Sequence, residues 1–147
     1  MKNLKSYHLF EADGRSFTAY HTSAKPVKSL GEEPMWFTRR LDLAKAYHAN
    51  IVMNNDKAFT YEVKIHGKIL STKELKKLLG MAGYGELISD LTANPFPKEA
   101  KKLTAPFIDM ADGIDQWDYD PRDPDRDVES TLVFHPSKTV TLGKRIL

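Results

Sequence analysis

Four side chains in this sequence stand where folds usually put chemistry. His21 closes a β-rich stretch, Phe17 to His21, just before a polar loop. Trp36 and Tyr47 lie eleven residues apart across a strand-to-helix corner, and Glu129 opens the β-rich stretch Val128 to Phe134 behind an exposed acidic loop. Polar groups at strand ends beside loops are held by a rigid scaffold and still reach solvent. One aromatic on a strand and one on the following helix can form the two walls of a slot for a flat ring. Each residue also has a plain structural role: His21 as a satisfied core histidine, the two rings as core, Glu129 as a solvated surface group. Other chemistries fit less well. Asp123 to Asp127 with Glu129 mimics a calcium loop but lacks its glycine and its helical flanks. Glu62-Val63-Lys64 and Pro124-Asp125 are nuclease-like fragments in the wrong order, and no Gly-x-Ser-x-Gly elbow is present. His48 and His66 have no second ligand at metal spacing, so no metal site is expected. The chain has no cysteine, which excludes disulfides, thiol catalysis and thiolate zinc sites.

The elements that must position these residues follow from periodicity. Tyr7 to Phe10 predicts a strand and Asp13-Gly14 a turn; Phe17 to His21 is a strand, Ser23 to Glu33 a loop, and Met35 to Thr38 a short buried strand. Asp42 is the expected N-cap of a helix whose inward stripe is Leu43, Ala46, Tyr47, Asn50 and Ile51, ending at Asn54 to Asp56. Ala58 to Ile65 alternates strongly, with Phe59, Tyr61, Val63 and Ile65 on one face. His66-Gly67 turns into a short strand, Lys68 to Leu70. Ser71 and Glu74 then form a capping box over a helix with Leu75, Leu78 and Leu79 inward, up to Gly80. Residues 81 to 107 read as partly helical, at Glu86 to Leu91 and Lys98 to Leu103. Ile114 to Tyr119, Val128 to Phe134 and Thr139 to Leu142 are strands, with a forced turn at Asp120 to Pro124. Strands with intervening helices but no regular βαβ alternation make the chain α+β rather than doubly wound.

At 147 residues the chain is expected to be a single domain, 1–147, able to bury a core without staples. Its formal net charge is only +2, yet Asp109 to Glu129 holds nine acids against Arg122 and Arg126, leaving a basic remainder that could attract an anion. No basic run interleaved with aromatics points to nucleic acid. No apolar run reaches signal-peptide or membrane-span length, so the expected location is cytoplasmic, of the producing cell or of a target cell.

In order along the chain, these residues resemble the ADP-ribosyltransferases, specifically the histidine–tyrosine–glutamate branch related to diphtheria toxin and the poly(ADP-ribose) polymerases. Tyr20-His21-Thr22-Ser23 is similar to that family's Tyr/Trp-His-Gly-Ser/Thr on its first core strand. Trp36-Phe37-Thr38 followed by Ala44-Lys45-Ala46-Tyr47 resembles its Tyr-Phe-Ala and Ser-Ala-x-Tyr pair. Phe59 to Lys68 looks like the next strand and its glycine turn, and Val128 to Ser137 is similar to the terminal Asn-Glu-Tyr-x-Val-Tyr-x-Pro, with Glu129 on the catalytic glutamate. The likeness spans Phe17 to Lys68 and Ile114 to Leu142 and leaves residues 71 to 112 as a variable, partly helical insertion, a candidate lid or target-contacting surface.

The resemblance implies a split antiparallel β-sheet core with flanking helices. It implies a mono-ADP-ribosyltransferase that takes NAD⁺ as substrate, needs no further cofactor, and modifies a macromolecular target, expected to be a protein. Breaking the nicotinamide–ribose bond passes through an oxocarbenium-like state that a placed carboxylate stabilises. His21 would then bind the adenosine ribose, Thr22 and Ser23 the nicotinamide amide, Trp36 and Tyr47 the nicotinamide ring, and Glu129 the nicotinamide ribose. Asp127 stands where toxin-like relatives carry the residue that selects the acceptor. Thr22 in place of glycine, Trp36 in place of tyrosine and Ala44 in place of serine depart from the pattern. An NAD⁺ glycohydrolase, or a non-catalytic binding or inhibitory module on the same scaffold, are the alternative functions. Family habit makes the protein a toxin, an effector or a phage protein that modifies a host.

Overall fold

The structure, a computed structural model, describes residues 16–54, 56–93, 96–116 and 130–147. The expectations that fall on residues 7–14, 117–124 and 127–129, among them Glu129 and Asp127, lie outside the described residues. Among the described residues seven strands, β1 (Ser16–Ser23), β2 (Met35–Thr38), β3 (Phe59–His66), β4 (Ile69–Leu70), β5 (Gly113–Gln116), β6 (Ser130–Val133) and β7 (Val140–Arg145), form one sheet. Among the described residues four helices accompany them: α1 (Leu41–Met53), α2 (Thr72–Ala93), α3 (Pro97–Thr104) and the single turn α4 (Pro136–Thr139). The fold is mixed α+β. Among the described residues no helix is long and apolar enough to cross a membrane.

Strand order is β4-β5-β6-β2-β1-β3-β7, antiparallel throughout except for the parallel pair β4 and β5. The pairing is uneven. β1 runs along β3 through eight register pairs and β2 along β6 through four, but β1 meets β2 at a single pair, Tyr20 with Thr38. The sheet is thus two wings, β4-β5-β6-β2 and β1-β3-β7, joined at a narrow seam.

Two apolar cores lie on opposite faces of the sheet. Phe59, Tyr61, Val63 and Ile65 point the same way, as their alternation requires, and pack with Ala19, Phe17, Phe37 and Val133 beneath Val27 and Leu30 of the loop after β1. On the other face, over the β4-β5-β6-β2 wing, Ile114, Leu132 and Phe134 pack against Leu75, Leu87 and Leu91 of α2, Ala100 of α3 and Phe107. Residues 71 to 112, read from sequence as an insertion, therefore supply half of a core. The capping box forms as expected: the Ser71 N–H donates to Glu74 Oε1 and the Glu74 N–H to Ser71 Oγ, both at 3.1 Å. Gly80, at φ 76° and ψ 167°, kinks α2 instead of ending it. Gly67 at φ 101° makes the turn after β3, and a Cβ there would collide with the Asp112 carboxylate, which accepts the Lys68 N–H at 2.8 Å.

Two expectations for α1 are corrected. The cap lies two residues earlier, at Arg40, with no side-chain cap bond, and the helix starts at Leu41; Asp42 lies inside the first turn. Its carboxylate is held by the Arg40 guanidinium, which bonds Oδ1 at 3.1 Å and Oδ2 at 2.6 Å and lowers the Asp42 pKa. The inward stripe is also rotated. Ala44 is fully buried and His48 and Ile51 are half-buried, while Ala46, Tyr47 and Asn50 are exposed. Hydrophobicity misplaces the stripe because one of its members is a histidine.

A polar cluster crosses the seam on the face opposite α1. Arg39, just past β2, donates to both oxygens of the buried Asp115 at 3.1 Å, and Thr131 donates to Asp115 Oδ1 at 2.7 Å. The same guanidinium lies 3.8 Å above the Phe17 ring of β1. Burial pushes the Asp115 pKa up, and the Arg39 charge and the Thr131 hydroxyl only partly offset it.

Candidate functional site

Over the seam lies a cavity of about 390 Å³. β1 contributes Tyr20, His21 and Thr22, β2 contributes Trp36, Phe37 and Thr38, and β5 and β6 contribute Gln116 and Ser130; Tyr47 comes from α1, and Leu91 and Thr92 from α2. The seam explains why a cavity forms here: where two strands pair at one position only, their side chains diverge and the helices above cannot close the gap. Register aligns a polar row across it. Tyr20 faces Thr38, Thr38 faces Ser130, and Ser130 faces Gln116, so four strands present hydroxyl or amide side chains on one line. One step along β2, on the same face, Trp36 pairs with Leu132 and gives the cavity an apolar side. Among the described residues the lining carries no Asp, Glu, Lys or Arg.

His21 Nδ1 is 3.1 Å from the Trp36 carbonyl oxygen. A carbonyl only accepts, so Nδ1 carries the proton and Nε2 of the neutral ring is an acceptor. The ring leans on Phe37, with centroids 5.6 Å apart. Burial lowers the His21 pKa, against a smaller raising effect of the Trp36 carbonyl, so the ring is neutral at pH 7. Trp36 is half-buried and Tyr47 is 47% exposed, and both border the one cavity.

Thr22 lines the cleft, but its hydroxyl is engaged elsewhere. It lies 2.8 Å from the Thr60 hydroxyl and donates to the Ala44 carbonyl at 3.4 Å; Thr60 in turn lies 3.0 Å from His48 Nδ1. Ser23 is not part of the lining, and its Oγ accepts the Lys25 N–H at 3.2 Å. The structure therefore brings together His21, Thr22, Trp36 and Tyr47 and leaves Ser23 aside.

Sequence reasoning missed Tyr20, Thr38, Gln116 and Ser130. Their signal was present as strand alternation beside the chosen residues, but only register shows that they form one row. Leu91 and Thr92 carried no signal, because which helix docks over the seam is a tertiary matter. Among the described residues no group of three or more histidines or acids could hold a metal ion. No family model matches the chain, and neither a curated protein nor a solved structure matches it.

Proposed function

We propose that the cleft binds NAD⁺ and that the protein is a mono-ADP-ribosyltransferase acting on a protein target, its two-winged sheet being the split core of that family. The observation that carries the reading is the meeting of His21, Trp36 and Tyr47, from three separate segments, around one cavity that Ser130, the residue after Glu129, also lines. The chemistry is consistent. Two aromatic faces suit a flat cationic ring, which quadrupole attraction favours. A neutral His21 with Nε2 as acceptor suits a ribose hydroxyl. Glu129 would bond the 2′-hydroxyl of the nicotinamide ribose and stabilise the oxocarbenium charge as nicotinamide leaves, and an acceptor side chain would attack the exposed carbon.

Incubation with labelled NAD⁺ and cell lysate should label a protein band, and mass spectrometry of co-expressed proteins should find an ADP-ribose adduct. Glu129→Gln should reduce labelling roughly 10²–10³-fold while leaving NAD⁺ binding in place. Release of free ADP-ribose at the same rate with and without protein acceptors would make it a glycohydrolase. Calorimetry without NAD⁺ binding would overturn the reading in favour of a binding module.

A further inference from the structure

Helix α1 carries Tyr47, yet it belongs to neither apolar core: no α1 residue packs into either cluster, and Ala44 is its one buried side chain among the described residues. Apolar burial, which fixes most helices, does little to place this one. A polar chain reaches from α1 to the sheet. His48 of α1 meets Thr60 of β3 at 3.0 Å, Thr60 meets Thr22 of β1 at 2.8 Å, and Thr22 returns to the Ala44 carbonyl of α1 at 3.4 Å. Thr60 is fully buried, so its hydroxyl has no water to fall back on.

The proton directions close in one way only. The Ala44 carbonyl accepts, so Thr22 donates to it; Thr22 Oγ1 then accepts from Thr60, and Thr60 Oγ1 accepts from His48 Nδ1–H. Every hydroxyl proton has an acceptor, and the loop begins and ends on α1. We infer that this His48–Thr60–Thr22 chain sets the position of α1 over the seam, and with it the Tyr47 wall of the cleft. His48 and Thr60 are positioning residues that act through the helix. His48 is Tyr47's immediate neighbour, so a roll of α1 that breaks the His48 contact moves the Tyr47 ring. The chain also accounts for Thr22 at the cleft edge: its side chain clamps the helix, and it is the only one of the three to border the cavity.

Thr60→Val keeps shape and removes the central hydroxyl, Thr60→Ser restores it, and His48→Leu removes the outer link should the valine variant fail to fold. Two readouts need no ligand. Amide exchange over residues 44–53 should accelerate about tenfold in Thr60→Val, as expected for losing one buried hydrogen bond that pins the helix, and return in Thr60→Ser. Acrylamide quenching of Trp36, in a Trp117→Phe background, should rise in parallel as the wall opens. A third readout rests on the NAD⁺ reading: KM for NAD⁺ should rise about five- to tenfold with kcat changed less. Unchanged exchange in both Thr60→Val and His48→Leu overturns the inference, as does faster exchange with unchanged Trp36 quenching. Absence of NAD⁺ binding by the parent protein would sink the functional reading alone, since the exchange and quenching results still decide the role of the chain.

Discussion

His21 shows how a single side chain can be prepared by its surroundings. The Trp36 carbonyl fixes its tautomer, and burial holds its pKa below the ordinary value of about 6.5. Because the folded-state pKa is depressed, the unfolded chain takes up the proton first as pH falls. The stability that the neutral ring contributes is complete above about pH 6.5 and is lost as pH falls through the lower folded value. The same protonation removes the Nε2 acceptor. On the proposed reading, NAD⁺ affinity should therefore be flat from pH 7 to 8 and weaken as pH falls through the lowered His21 value, and His21→Gln should abolish that acid limb; calorimetric titrations across pH test both. A histidine at a strand end was legible from sequence as a candidate. Its tautomer was not, because the fixing carbonyl belongs to another strand.

At the scale of elements, legibility followed the range of the interaction. The Ser71–Glu74 box was readable because both partners lie within one turn, and the Phe59–Ile65 strand because alternation is local. Ser71→Ala should cost ~1 kcal/mol, seen as a drop of about 3 °C in Tm for a chain of this size, with no effect on the cleft. α1 was harder. Its sheet-facing stripe includes a histidine held by a buried threonine twelve residues away, a contact that hydrophobicity does not encode. Arg40 draws Asp42 out of any capping role, again through a side chain rather than a pattern.

For the whole molecule the decisive pair is Arg39 and Asp115, separated by 76 residues and invisible in the sequence, where Asp115 counts as one acid in an acidic stretch. Arg39 reaches one wing through Asp115 and the other through Phe17, so it clasps the seam beneath the cleft. Arg39→Met leaves the buried carboxylate without its partner and should cost about 3–5 kcal/mol at pH 7. The sign with pH follows from Asp115, whose folded pKa is raised: its contribution is fullest below the ordinary carboxylate range and falls as pH rises through the folded value. Without Arg39 that value rises further, so the deficit should shrink on acidification. Urea melts at pH 7 and pH 5 measure this, and Arg39→Met with Asp115→Asn should recover most of the loss. The cleft has the same distant origin. Its walls come from four strands and two helices, so the sequence offers the residues but not their meeting.

The uneven seam also bears on how the chain is made. β2 meets β1 at one position and finds its long partner, β6, only when residues 130–133 have been synthesised, nearly a hundred residues later. At about 5–20 residues per second, Met35, Trp36 and Phe37 wait roughly 5–20 s on the ribosome with one strand edge unpaired. For that interval the segment that later walls the cleft is an apolar edge open to chaperones and to other nascent chains. The wing β4-β5-β6-β2 therefore closes after β1 and β3 have paired, and its closure completes the cleft.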